Sequence, residues 1–361
     1  YINTVAEQKY GRPLVVAMSA DLADSTNISG FAKEYGGTKS KGFYDKENNP
    51  NSPLIPQGIT EFTNAGMMAG LATVNFSEDT YKEFNGFYGA MSTYGSFSYL
   101  KYGPLRLFSQ IAQDSDLKVG KVIWVAGHSG PETAEDSRTH FGIFAPGVTQ
   151  LFPEGQIINL HPWEHNEVAP CLAAALSTDV ALIILHLTRP PVTIPDRQAL
   201  GMASHMDAAR GAYIIKDYDH NVDKKGVVII RGTSSTNSLV EILPRLTEEG
   251  PNVKIVAAVS WELFQRQLEA YQYSVISGKE WQDAMVITNG ALRLMHKWIA
   301  NRIVEEYSLS PDFDNRWRTG GNLEQIIKES KLDPHSVWDG IMHFTNDREK
   351  RLTRLRSEIP T

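Results

Sequence analysis

A chain of 361 residues exceeds what one ordinary domain needs and suffices for two. Hydrophobic residues at 42% and charged residues at 21% give a globular composition with apolar material for sizeable cores. The formal net charge of -7 argues against a general nucleic-acid binder, which needs clustered Lys and Arg to displace counterions, but leaves room for a local basic pocket around a phosphorylated small molecule.

The sequence opens Tyr1-Ile2-Asn3-Thr4, without a Met, a basic leader or a signal-like apolar block, which suggests a trimmed, processed or partial chain. Leu14 to Met18 reads as a buried strand, followed by a polar turn from Ser19 to Asn27. Glu61 to Val74 reads as a tightly packed helix, with small residues at helical spacing between Gly66 and Leu71. Lys121 to Ala126 is a strand that ends at Gly127-His128, and Gln156 to Leu160 is another. Glu164 to Leu176 has the spacing of an amphipathic helix, and Val180 to Leu187 closes the first region as a strand.

Strands alternating with helices imply parallel pairing and an α/β fold, and continuous apolar runs fit strands covered on both faces. Ligands in such sheets sit beyond the carboxyl ends of strands, which puts Ser25 and His128 at a mouth. Pro190-Pro191, Pro195 and the polar stretch to about Ala209 read as a linker. A second α/β unit starts near Gly226, with strands at Val227–Ile230 and Val253–Val259 around a helix from Thr236 to Leu246. The expected division is therefore 1–200 and 201–361, two consecutive domains, each a mainly parallel sheet flanked by helices. The turn Gly232-Thr233-Ser234-Ser235 fits either an anion held on backbone N–H groups or a Ser-rich turn with its own N-cap. Asp347 to Arg356, dense in mixed charge, reads as a solvated helix or tail. The longest apolar runs are strand-sized, so no membrane span is expected. Cys171 has no second cysteine to pair with, and a reducing, cytoplasmic setting is the expectation.

The segment His128-Ser-Gly-Pro-Glu-Thr-Ala-Glu135-Asp136-Ser-Arg-Thr139-His140 gathers imidazoles, carboxylates and hydroxyls within thirteen positions. Such a loop offers donors and acceptors to a polyhydroxylated ligand, and its imidazoles can move protons near neutrality. It also fits a metal site by residue type, though not by any recognised zinc spacing, or a solvated loop without a role.

In its spacing the run resembles the transketolase motif His-Asp-Ser-Ile-Gly-x-Gly-Glu-Asp-Gly-Pro-Thr-His. The histidines are equally far apart, and Glu135, Asp136 and Thr139 fall at matching steps. It departs at Ser129 and at Ser137-Arg138, which bears on substrate preference. Ser19-Ala20-Asp21-Leu22-Ala23-Asp24-Ser25-Thr26-Asn27 resembles Ser-Ala-Asp-Leu-x-x-Ser-Asn, with one residue inserted before Asn27. Gly58-Ile59-Thr60-Glu61-Phe62 resembles Gly-Val-Arg-Glu-Phe, and Leu187-Thr188-Arg189 resembles Leu-Ser-Arg. His161-Pro162-x-Glu164-x-x-Glu167 resembles Arg-Pro-x-Asp-x-x-Glu with His161 replacing Arg. These matches are collinear and cover residues 12 to 265, weakening beyond.

The resemblance implies a pyrimidine-binding domain followed by a transketolase C-terminal domain, with thiamine diphosphate as cofactor. Glu61 would hydrogen-bond the aminopyrimidine ring, favouring the tautomer that takes the proton from the thiazolium C–H; Phe62, Met67 and Met68 would make its surroundings apolar. Taken alone, a Glu at a helix start more often complements the helix dipole. Of the cluster Tyr94, Phe97, Tyr99 and Tyr102, which would otherwise be ordinary aromatic core, Phe97 and then Tyr94 would stack on the ring. Asp21 would lie near the thiazolium. Arg189 and His128 would hold the sugar's phosphate with help from Ser25, Asp136 would read a sugar hydroxyl, and His140 would bond oxygens near the reacting carbon. Arg138 fits a contact to an anionic group as well as an exposed side chain without a role.

The Gly-Asp-Gly…Asn segment that holds the diphosphate through a divalent metal in this family is not found, nor is a dedicated metal run. The expected metal ligands in this chain are therefore none. Mg²⁺ or Ca²⁺ would be bound by a partner, the N-terminal diphosphate-binding half or subunit, in a dimer of such pairs, a heterotetramer acting on sugar phosphates. A β subunit of a 2-oxo acid dehydrogenase-like enzyme and a non-catalytic subunit retaining the fold are the alternatives.

Overall fold

The computed structural model describes residues 1–35, 42–127, 129–318 and 320–358. The strands form where β-branched and small apolar residues run without interruption. The five positions of β1 (Val15–Ser19) are all buried, as a strand covered on both faces requires. β1 pairs in parallel with the short β2 (Leu54–Ile55) on one side and with β3 (Tyr88–Thr93) on the other, in register Val15 to Tyr88 and Ser19 to Ser92. β3 continues in parallel to β4 (Val122–Ala126), and β4 to β6 (Leu182–His186). β5 (Ile157–Leu160) completes a six-stranded sheet of order β2-β1-β3-β4-β6-β5.

Between these strands run α1 (Ile2–Tyr10), α2 (Glu61–Thr73), α3 (Tyr102–Asp114) and α4 (His165–Leu176). One face of α2, Glu61, Ala65, Met68 and Ala72, is buried at helical spacing. The helix lies close on β3: a Cβ on Gly89 would sit 2.8 Å from the Met68 Cβ. Trp124, Met91, Leu105 and Phe108 fill the same core, each contributing about 1.5–3 kcal/mol by leaving water.

The second sheet is four-stranded, in the order β10-β8-β9-β7. β8 (Val227–Arg231) is parallel to both β9 (Lys254–Ala258) and β10 (Ala284–Thr288), and α5 (Thr233–Glu248) follows β8. β7 (Ala212–Lys216), ahead of the expected start of this unit, pairs antiparallel with β9. Two α/β sheets, mainly parallel and flanked by helices, are thus the architecture.

Packing divides the chain into two units. The first comprises Tyr1–Ser129, Ala145–Asn159 and Ala175–Arg189; the second comprises Gly130–Phe144, Leu160–Ala174 and Pro190–Thr361. Two expectations need correction within the second. The stretch after Pro190-Pro191 is no free linker, because Arg197 reaches the buried carboxylates of Glu164 at 2.9 Å and Glu167 at 2.8 Å. Glu167 also accepts from the Tyr213 hydroxyl at 2.5 Å. The C-terminal charge-rich stretch is a helix, Arg348–Glu358, with Glu349, Lys350 and Arg356 exposed, but it is solvated on one side only. Its Arg351 is 2% exposed, bonds Asp283 at 2.8 Å and lies on the Phe344 ring. Charge density in sequence gave no sign of a partner that distant. Among the described residues no helix is long and apolar enough to cross a membrane.

Candidate active site

The turn after β1 is built by hydroxyls. Thr26, fully buried, bonds the Ser19 hydroxyl at 2.7 Å and the Ser92 hydroxyl at 2.8 Å, tying the turn to β3. Asn27 adopts the left-handed conformation with φ 64°, which Asn tolerates better than most residues. Its amide donates to Gly127 O at 2.9 Å and to Thr188 O at 3.3 Å, joining the carboxyl ends of β4 and β6. Gly127 admits no side chain, since a Cβ there would meet Thr26 O at 2.8 Å. These contacts gather the residues expected at the strand ends. Asp21, half-buried, accepts from the Leu22 N–H at 2.7 Å. The Ser25 hydroxyl lies 3.2 Å from the Tyr94 hydroxyl. Arg189, one residue past Thr188, is exposed.

Glu61 opens α2 yet is only 7% exposed, and the Thr93 hydroxyl donates to its carboxylate at 2.9 Å. A buried carboxylate at a helix start gains from the helix dipole and from this bond. The apolar surroundings expected from Phe62 and Met67 are not found: the two side chains are 64% and 42% exposed. They fall off the helical stripe that buries Glu61 with Met68, so burial comes from the β3 side instead. Next along the chain, Tyr94 is buried and Phe97 half-buried, their rings edge to face with centroids 6.3 Å apart.

On α2 and on the 3₁₀ segment Gly95–Lys101 packed against it lie polar groups that sequence reasoning passed over. The Asn64 Nδ2, the Ser98 Oγ and the Lys101 Nζ are buried and have no hydrogen-bond partner among the described residues. Burial pushes the Lys101 ammonium down to about 7, while the Glu61 carboxylate acts to raise it. A lysine inside a run of aromatic and small residues was the available signal.

In the second unit, the polar loop folds as two short 3₁₀ turns, Pro131–Glu135 and Arg138–His140. Asp136 and His140 pair at 2.8 Å. The Thr133 hydroxyl bonds Gly130 O at 2.8 Å and also His140 O, closing the loop on itself. Phe141 and Ile143 anchor its end in a small apolar cluster with Ile326. Glu135 and Arg138 are exposed. Glu132, unremarked in sequence, is 2% exposed and accepts from the Ser234 hydroxyl at 3.0 Å and the Asn289 amide at 3.2 Å. The turn before α5 thus has a carboxylate of the chain itself on Ser234, and Gly232 is an N-cap without a side-chain bond.

Asp21, Ser25, Glu61, Tyr94, Phe97 and Arg189 therefore fall in the first unit, and Asp136 and His140 in the second. His128 lies outside the described residues. Among the described residues no group of three or more His, Cys, Asp or Glu side chains gathers as a metal site. Cys171 is fully buried and burial pushes its thiol up, which suits packing and not nucleophilic chemistry.

Comparison with known proteins gives two consecutive matches, the first of which includes segments that packing assigns to the second unit. The family profile described as "Transketolase, pyrimidine binding domain" matches residues 3–193, and that described as "Transketolase-like TK C-terminal domain" matches residues 211–307. A transketolase of Nostoc sp. is 30% identical over 267 residues, covering 73% of this chain and 34% of that protein. The chain spans less than half the length of the curated relatives it matches. The transketolase of Pichia stipitis solved with sedoheptulose 7-phosphate superposes with a TM-score of 0.67 at 20% identity, over 93% of this chain and 44% of that one. A split-gene transketolase solved as an inactive β4 tetramer superposes with a TM-score of 0.58 at 18% identity, over 96% of each chain. At such low identity these structural likenesses speak for the fold alone.

Proposed function

The chain belongs to the transketolase family, and from that premise we propose that it supplies the pyrimidine-binding half of a thiamine-diphosphate site for ketol transfer. In this reading a two-carbon unit passes from a ketose phosphate to an aldose acceptor. The observation that carries it is the buried Glu61, bonded to Thr93 at the end of the strand that leads into the Tyr94 and Phe97 rings. A buried carboxylate whose donor strand runs directly into two aromatic side chains fits an aminopyrimidine, whose ring nitrogen it would bond and whose faces the rings would cover. The buried Nδ2 of Asn64, one turn along α2 and without a partner among the described residues, adds a donor suited to a second ring atom.

Bound thiamine diphosphate would supply an acidic thiazolium carbon, the chemistry that amino-acid side chains lack. The chain's own residues then have separate tasks. Glu61 holds the ring in the productive tautomer, and Thr93 fixes the carboxylate's direction. Phe97, with Tyr94, excludes water from the ring face. Asp21 sits near the thiazolium side. Arg189 and His128 bind the sugar's phosphate, with Ser25 assisting, and Asp136 and His140 bond the sugar's oxygens, His140 handling protons near the reacting carbon. We propose 1–200 as the pyrimidine-binding domain and 201–361 as the C-terminal one, a boundary that the two profile matches support.

Mg²⁺ or Ca²⁺ and the diphosphate would be held by a separate N-terminal half or subunit, two such pairs forming a heterotetramer in the cytoplasm. The matching extent of the split-gene protein supports the need for a partner, and the inactive state recorded for that protein fits a chain carrying half a site. The test is reconstitution. With sedoheptulose 7-phosphate as donor, the purified chain should show no ketol transfer, and adding a polypeptide that carries the Gly-Asp-Gly…Asn segment should restore it. Turnover by the chain alone would overturn the half-site reading.

A further inference from the structure

Lys101 is fully buried, and its Nζ has no hydrogen-bond partner among the described residues. Taking an ammonium out of water costs several kcal/mol unless a counter-charge or hydrogen bonds compensate. Lysines usually avoid that cost by extending along an apolar surface until the charge reaches water. Lys101 does not. It ends the 3₁₀ segment Gly95–Lys101, which carries Phe97 and packs against α2. Two residues on, a Cβ at Gly103 would lie 3.2 Å from the Phe62 ring, so this junction sits on the first turn of α2, where Glu61 is.

The surrounding charges are few. The segment packs against α2, α3 and Ala145–Leu151. Glu61 is the charged residue of α2, Arg106 and Asp114 of α3 are exposed, and Ala145–Leu151 carries none. Tyr99, on the segment itself, is exposed, and Tyr102 is half-buried. The charge that acts on Lys101 is that of Glu61, and burial opposes it, with the ammonium lowered to about 7. Asn64 Nδ2 and Ser98 Oγ, on the same two elements, are likewise buried without partners.

We propose that Lys101 is a positioning residue of the pyrimidine site, a buried counter-charge that acts on the ring through Glu61. With its proton, Lys101 places a cation within electrostatic reach of Glu61. When the ammonium loses its proton to water, one negative charge at Glu61 is left unopposed. The proton that Glu61 and the ring nitrogen share on binding comes from the ammonium while Lys101 still holds it, and has to be drawn from water once Lys101 has lost it. Affinity for a basic heteroaromatic ring therefore depends on pH through Lys101. The ring's identity as the aminopyrimidine of thiamine rests on the function proposed above.

The experiment has two arms. In the first, thiamine diphosphate with Mg²⁺ is titrated into the reconstituted complex from below to above neutrality. The wild-type affinity should be level with pH below the lysine's titration and fall above it, by about tenfold per pH unit. Lys101→Met and Lys101→Arg have no proton to give, so their affinity should fall with pH throughout, without the level arm. A wild-type inflection that persists in Lys101→Met overturns the proposal. In the second arm, the Lys101 side-chain carbon is followed by NMR in the isolated full-length chain, without cofactor. Glu61→Gln should move its titration to lower pH, and an unmoved titration also overturns the proposal. If Glu61→Gln moves that titration but leaves cofactor affinity unchanged, the lysine–carboxylate coupling stands and the cofactor reading fails.

Discussion

Thr93 donates its hydroxyl hydrogen to Glu61 across 2.9 Å, from the end of β3 to the start of α2. A carboxylate buried at this depth is held by very few contacts, and this bond sets its direction. In the reconstituted complex, Glu61→Ala should lower turnover by several orders of magnitude, since it removes an interaction that matters most in the transition state. Thr93→Val keeps the charge and loses the direction. It should cost about 1–3 kcal/mol of stability, read from urea unfolding, because a buried acceptor loses its donor. Unchanged turnover in Glu61→Ala would leave the chain a scaffold.

The Ser25 and Tyr94 hydroxyls, 3.2 Å apart, join the turn after β1 to the aromatic segment. Tyr94→Phe keeps the ring and removes that contact. In the proposed site it should raise KM for a ketose phosphate while leaving kcat within a few-fold, because Ser25 serves the phosphate and the ring serves the cofactor. A drop in kcat at unchanged KM would move Tyr94's role to the reacting centre.

How much of this could be read from the sequence depends on where each residue's partners lie. Strands buried on both faces announced themselves, because β1, β4, β6, β8 and β9 are unbroken apolar runs. β3 did not, since Gly89 makes room for Met68 and Ser92 joins the Ser19 and Thr26 hydroxyls. Both features lower strand propensity in order to meet a tertiary demand. Spacing picked out Ser25, Glu61 and Tyr94 as candidates, and the fold sets the Ser25 and Tyr94 hydroxyls side by side and buries Glu61. The polar groups between them were not legible. Asn64 and Lys101 look like ordinary surface residues until α2 and the 3₁₀ segment enclose them.

Arg351 is another such case, its bond to Asp283 spanning 68 positions. Asp283 also accepts from Arg348 at 2.7 Å, but Arg348 is the more exposed of the two arginines. Arg348 still holds Asp283 when Arg351 is removed, so Arg351→Ala should cost less than about 3–5 kcal/mol, the penalty of a buried charge left uncompensated, but more than the loss of Arg348. Arg348→Ala should cost less, in the range of about 0–1 kcal/mol for a pair open to water. Thermal and urea unfolding of both variants would check the order, and equal losses would contradict it.

Lys101 also makes a prediction that needs no cofactor. Its ammonium is lowered from an ordinary value of 10.5 to about 7 in the folded chain, by burial that the Glu61 charge only partly offsets. Between those two values the unfolded chain binds the proton more readily than the folded one. Stability must therefore rise with pH across that window, at a rate on the order of 1.4 kcal/mol per pH unit. Below the window both states carry the proton, and the folded chain bears the whole cost of a buried charge. Lys101→Met should remove the slope. The variant should be more stable than the wild type at neutral pH, with the advantage shrinking as the solution becomes alkaline. Glu61→Gln should do the opposite, extending the rise to lower pH, because the lysine then loses its counter-charge. Urea unfolding free energies measured against pH give the difference curves directly, and other lysines and tyrosines cancel in the subtraction. Parallel curves for wild type and Lys101→Met would mean that the ammonium finds water or a partner in solution, and that Glu61 works without it.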